Sequence, residues 1–104
     1  MSFNIDSTIE DMVAAVKGIV DKDKDKIKGY ARQIFDEEKQ TLNQLALLRV
    51  SGQITDEELQ SELEDEKDTV QAQLLALNVL NKATAQRAAN AALNVLYNAV
   101  IAAV

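Results

Sequence analysis

Apolar residues recur at helical spacing almost from the start of the chain. Ile9, Met12, Val13, Val16, Ile19 and Val20 form one stripe. It resumes in phase at Ile27, Tyr30/Ala31, Ile34/Phe35, Leu42, Leu45 and Leu48. A second stripe runs through Leu59, Leu63, Val70, Leu74, Leu77, Leu80/Asn81, Thr84, Ala88, Ala91, Val95 and Asn98. Spacing of three and four residues is that of one helical face, so the pattern predicts an all-α chain. Ser7-Thr8-Ile9-Glu10 and Thr55-Asp56-Glu57-Glu58 both have the form of a capping box at a helix start. Val50-Ser51-Gly52-Gln53-Ile54 reads as the one clear turn, with Gly52 suited to the left-handed position after a helix end.

Between the two parts of the first stripe lies Asp21-Lys22-Asp23-Lys24-Asp25-Lys26, either a break or a solvated helical turn. Pairs three apart attract and pairs four apart repel, so local charge does not decide between them. Retained phase favours one helix over about 7–50, kinked or not near 21–25, followed by a turn at 51–54 and a helix over about 55–103. The second helix would run about 48 residues, on the order of 70 Å at 1.5 Å per residue. The expectation is thus a single helical domain over 1–104, a long antiparallel hairpin that assembles as an oligomeric helical bundle. Pairing from the turn would set Ala88–Val104 against Ile9–Val20 and the acidic residues beside 38–50.

The final quarter complicates a simple hairpin. Ala88–Val104 contains no charged residue, Gly or Pro. Leu93, Leu96, Val100 and Val104 point away from Ala91, Val95 and Ala102, and one partner helix cannot cover both faces. Two solutions follow: fold-back into a compact three- or four-helix bundle, or assembly of several chains. Assembly is the leading expectation. Its self-association interface would be Ile9, Val13, Val16, Val20, Ala88, Ala92, Leu93, Asn94, Leu96, Asn98 and Val100. Asn90, Asn94 and Asn98 recur every four residues, as do the pairs Ala85/Ala89, Ala88/Ala92 and Ala99/Ala103. Small residues permit close helix approach, and Asn amides can pair across it.

Composition narrows the chemistry. The chain has no His, Cys, Pro or Trp. Disulfides, thiol chemistry, zinc sites and His relays are therefore unavailable. Asp21-x-Asp23-x-Asp25 begins like a calcium loop, but Lys26 and Arg32 stand where that loop needs Gly and Glu. Carboxylates are plentiful, yet a ferritin-like di-metal site also needs His, and a thin helical chain offers no cleft. No enzyme, cofactor or metal is expected.

The net charge of −6 disfavours nucleic acid. Eight of the seventeen acids fall between Asp56 and Asp68, whereas Lys22, Lys24, Lys26, Lys28 and Arg32 make a basic patch. On a straight hairpin these blocks sit about 17 residues apart along the axis, roughly 25 Å. They would meet only between slipped copies, with Lys22, Lys24 and Lys26 of one chain facing Glu58, Glu62 and Asp65 of the next. Such a slip is a heterologous contact that builds rings or filaments. Three Asn and many Ala within Ala88–Val104 disfavour a bilayer-spanning segment. The N-terminus lacks a basic region followed by an apolar one, so synthesis in the cytoplasm without a Sec signal is expected, with the final location open.

Leu42-x-x-Leu45-x-Leu47-Leu48 followed by Gly52-Gln53-Ile54-Thr55-Asp56-Glu57-Glu58-Leu59 resembles the SHOCT short helical domain pattern. That resemblance covers about 30 residues and implies a role in oligomerisation. The expected architecture is also similar to that of secretion-needle subunits and small secreted helical hairpins. Val50-Ser51-Gly52 stands where one such group has Trp-x-Gly. The leading expectation is a self-associating structural subunit of a filament, ring or virion-type particle. A small acidic binding module (adaptor, chaperone or inhibitor) docking its C-terminal arm on a helical partner protein is the alternative. A membrane-active helical protein is the third.

Overall fold

A computed structural model describes residues 3–104 and contains four helices: α1 (Ile5–Ile19), α2 (Lys24–Val50), α3 (Asp56–Ala76) and α4 (Lys82–Ala103). No strand occurs among the described residues. α1 packs on α2 and α4, and α3 packs on α4 and α2, with a slighter contact between α2 and α4. The helices therefore form a four-cornered bundle with α2 and α4 at opposite corners. Its extents are 40 × 22 × 19 Å, too short for the helix of about 70 Å expected over 55–103. The Cα radius of gyration, 13.2 Å, is near the roughly 13 Å of a compact chain of this length.

Both expected long helices are broken, and the breaks have physical causes. α1 ends at Ile19, Val20 turns extended and is buried, and Asp23 adopts a left-handed conformation with φ 53°. With local charge neutral between bend and helix, packing decides: the bend lets Val20 and Ile27 enter one core. Three ion pairs cross from α1 to α2: Lys17–Asp25 (3.3 Å), Glu10–Arg32 (2.6 Å) and Asp6–Lys39 (2.5 Å). Numbers fall on α1 as they rise on α2, so these two helices run antiparallel. The pairs are solvent-exposed and fix register more than they add stability.

The second break lies between Ala76 and Lys82. Asn78 is left-handed (φ 58°), a conformation its short amide tolerates. The Asn81 side chain then accepts from the Thr84 amide at 2.8 Å and caps α4. At the first helix, the capping box expected at Ser7 is replaced by Asn4, whose side chain accepts from the Ser7 amide at 2.9 Å. Starting earlier brings Ile5 against the core. The turn at 51–54 forms as the residues dictate: Gly52 has φ 79°, and Thr55 and Glu58 make the reciprocal capping box, with bonds of 3.1 and 3.0 Å.

The core answers what covers the apolar C-terminal quarter. Ala85, Ala88, Ala89, Ala92, Leu93, Leu96 and Val100 are buried among Ile9, Met12, Val13 and Val16 of α1 and Leu59, Leu63 and Leu74 of α3. The small alanines let α4 approach α1 closely. The fold-back solution prevails over assembly as the cover for this helix. Among the described residues no helix is long and apolar enough to cross a membrane.

Candidate functional site

The folding of α4 into its own bundle takes most of the expected interface residues off the surface. Ile9, Val13, Val16, Val20, Ala88, Ala92, Leu93, Leu96 and Val100 are all core residues, none more than 2% exposed. They hold α1 and α4 together and are not available to another chain. Only Asn94 and Asn98 of that set reach the surface. Lys22, Lys24, Lys26, Glu58, Glu62 and Asp65 are all exposed, and none makes an ion pair among the described residues. Glu58 is occupied by the Thr55 cap. The offset of roughly 25 Å between the charge blocks assumed straight arms. With both arms folded back, that offset no longer holds.

Three surface features carry polar chemistry. The first is a groove of about 180 Å³ between α3 and α4, bordered by Gln60, Lys67, Asn94 and Tyr97. The Tyr97 hydroxyl donates to the Asp56 carboxylate, at 2.8 and 2.9 Å from its oxygens, and accepts from Gln60 Nε2 at 3.2 Å. The hydrogen bond to Asp56, then burial and the Asp56 charge, push the Tyr97 phenol up. Such a phenol holds its proton and clasps α3 to α4.

The second is a carboxyl pair where α2 meets α3. Glu66 lies beside Glu38, and its Oε2 is buried without a hydrogen-bond partner. Burial first, then the adjacent Glu38 carboxylate, then the charges of Glu62 and Asp65, raise the Glu66 carboxyl. The pair is a source of pH-dependent stability.

The third is a shallow groove of about 630 Å³ along the last three turns of α2, bordered by Gln40, Asn43, Gln44, Leu47, Val50 and Gln53. The residues from Gln40 to Leu48 include no charge. Leu47 is 51% exposed at its centre. The sequence carried a signal for it: Leu47 falls off the Leu42–Leu45–Leu48 stripe, so a helix that buries those three presents Leu47 outward. On the opposite corner, α4 exposes Asn90, Asn94, Asn98 and Ile101 in one row. Leu47 and the α4 row are thus left outside, while the apolar contacts expected between chains close within one.

Comparison with known protein families, characterised proteins and solved structures finds no match. The segment Leu42–Leu59 accordingly gains no family assignment from its SHOCT-like pattern. Any functional reading rests on the surface itself.

Proposed function

We propose that this chain is a non-enzymatic, self-associating helical subunit of a ring or filament, which docks through the uncharged stretch of α2 around Leu47. The observation that carries this reading is Leu47, half-exposed in the middle of an uncharged stretch of α2, on a chain of net charge −6. Copies bearing the same charge repel, and they approach at least cost through faces that carry none. Side-chain amides such as Gln40 and Gln44 both donate and accept, so they can pair with amides on another copy. Light scattering on a sizing column across a hundredfold concentration range tests the proposal. A mass that climbs above 11.4 kDa with concentration supports it, and a constant monomer mass refutes it.

A second reading is favoured by the burial of α4. A chain that covers its own apolar helix can fold without copies of itself, as a small binding module does. Such a module would use the same α2 groove for a helix of another protein, and its C-terminal arm would serve as core. A strictly monomeric chain would leave this reading standing and remove the first.

A further inference from the structure

α2 and α3 are joined at the 51–54 turn and meet again where Glu38 lies beside Glu66, so the two helices run antiparallel. Their buried stripes mirror one another about that point. On α2, Ala31 and Phe35 are buried on one side of Glu38, and Leu42 and Ala46 on the other. On α3, Leu59 and Leu63 precede Glu66, and Val70 and Leu74 follow it. Each stripe steps by three or four residues and would run unbroken if position 38 or 66 were apolar. The seam therefore has apolar layers on both sides of a layer made of two carboxyls. Glu66 is half-buried there, and its Oε2 has no hydrogen-bond partner.

The charges that bear on Glu66 are all acids: Glu38 from α2, and Glu62 and Asp65 from its own helix. Lys39 and Lys67, the neighbours of the pair in sequence, are held by Asp6 and Glu64. α4, the other helix packed on α3, carries only Lys82 and Arg87, both exposed in its first two turns. Two ionised carboxylates side by side repel, whereas one shared proton makes them a donor and an acceptor. We propose that the Glu38–Glu66 layer is a pH-operated latch: it holds α2 to α3 while the pair shares a proton and lets them part when both carboxyls ionise. Of the four seams around the bundle, α2–α3 is the slightest. Parting leaves α2 on α1 through the three ion pairs, and α3 on α4 through the Tyr97–Asp56 bond. It uncovers Phe35, Leu42, Leu63 and Val70, whose burial keeps the open form a minority. The Glu66 carboxyl is raised in the closed form, which binds the proton more tightly than the open one. Closure is thus fullest below the ordinary carboxylate range and weakens as pH rises through the folded value.

The chain has no cysteine, so a single introduced one reports local opening by its reaction with a thiol reagent. Val70→Cys and Ala46→Cys place it in the α2–α3 seam and Val13→Cys places it on α1, all at positions no more than 1% exposed. Protection is the labelling rate of the urea-unfolded chain divided by that of the folded chain, a ratio that cancels the thiol's own titration. Between about pH 4 and about pH 8, protection at Val70→Cys and Ala46→Cys is expected to fall, by at most about tenfold per pH unit because one proton is released. Val13→Cys is expected not to share that fall, and adding Glu66→Gln to level it at both seam positions. An equal fall at all three positions would make the effect global unfolding and overturn the latch. So would a fall that persists with Glu66→Gln, or seam protection that does not change with pH.

Discussion

Leu96→Ala tests whether the C-terminal helix is core or interface. Leu96 is 1% exposed, on the face of α4 that packs within the bundle. Truncation removes three buried carbon atoms and leaves a void that neighbours fill only in part. Such changes cost about 3 kcal/mol in a well-packed core. A chain of this size has a total stability of about 5–15 kcal/mol, so the loss is a large share of it. At about 4–8 °C per kcal/mol, the melting temperature should fall by about 12–24 °C. Asn94→Ala, on the exposed face two residues away, supplies the control and should change stability by no more than about 0.5 kcal/mol. Thermal unfolding followed by far-ultraviolet circular dichroism reads both, with light scattering on the same samples. A Leu96→Ala protein that melts within about 4 °C of wild type while losing assembled mass would place Leu96 against another chain and refute its packing on α1 and α3.

Three further outcomes follow from single sites. Asp23→Gly should raise stability by about 0.5–1 kcal/mol, since Asp23 sits left-handed without a side-chain capping bond and glycine adopts that conformation freely; a lower melting temperature would contradict this. Glu66 has a carboxyl raised on folding, so the native state holds its proton more tightly than the unfolded chain does. Its contribution to stability is present below the ordinary carboxylate range and is lost as pH rises through the folded value, and Glu66→Gln should flatten that fall and melt higher at neutral pH. A Glu66→Gln melting profile parallel to wild type across that range would remove the Glu38–Glu66 pair as its cause. In a Tyr30→Phe background, ultraviolet titration should find Tyr97 ionising above the usual phenol value of about 10, with Asp56→Asn bringing it back; the clasp stabilises below that usual value and is lost as pH rises through the folded one. A Tyr97 midpoint unmoved by Asp56→Asn would rule out the hydrogen bond as the cause.

Local chemistry was legible wherever one residue type had one physical use. Gly52 and the Thr55–Glu58 box form the turn and cap that their types require, and the helical periodicity is observed along all four helices. Two breaks were harder to read. The alternating run 21–26 is locally balanced, so the bend there is decided by packing of Val20 and Ile27, which no short window contains. Asn78 and Asn81 did carry a signal, a left-handed residue followed by a cap, but a continuous apolar stripe through Leu77, Leu80 and Thr84 masked it. Keeping phase across a break is what a bundle core demands of both flanking helices, so phase alone does not distinguish a continuous helix from a folded one. The two-faced apolarity of Ala88–Val104 correctly required more than one covering helix. It did not say whose, and α1 and α3 of the same chain provide them. Leu47 was legible by its position off the stripe, but the longer charge-free run at the C-terminus is the stronger apolar signal and masked it.

Small-angle X-ray scattering on the dilute protein tests most directly whether each half folds back to bury the chain's own C-terminal helix. A compact particle with a radius of gyration near 13.2 Å, apart from the added hydration layer, is the predicted result. A rod-like profile of about 20 Å, as a straight hairpin about 70 Å long would give, would contradict it and return Leu93, Leu96 and Val100 to the surface between chains.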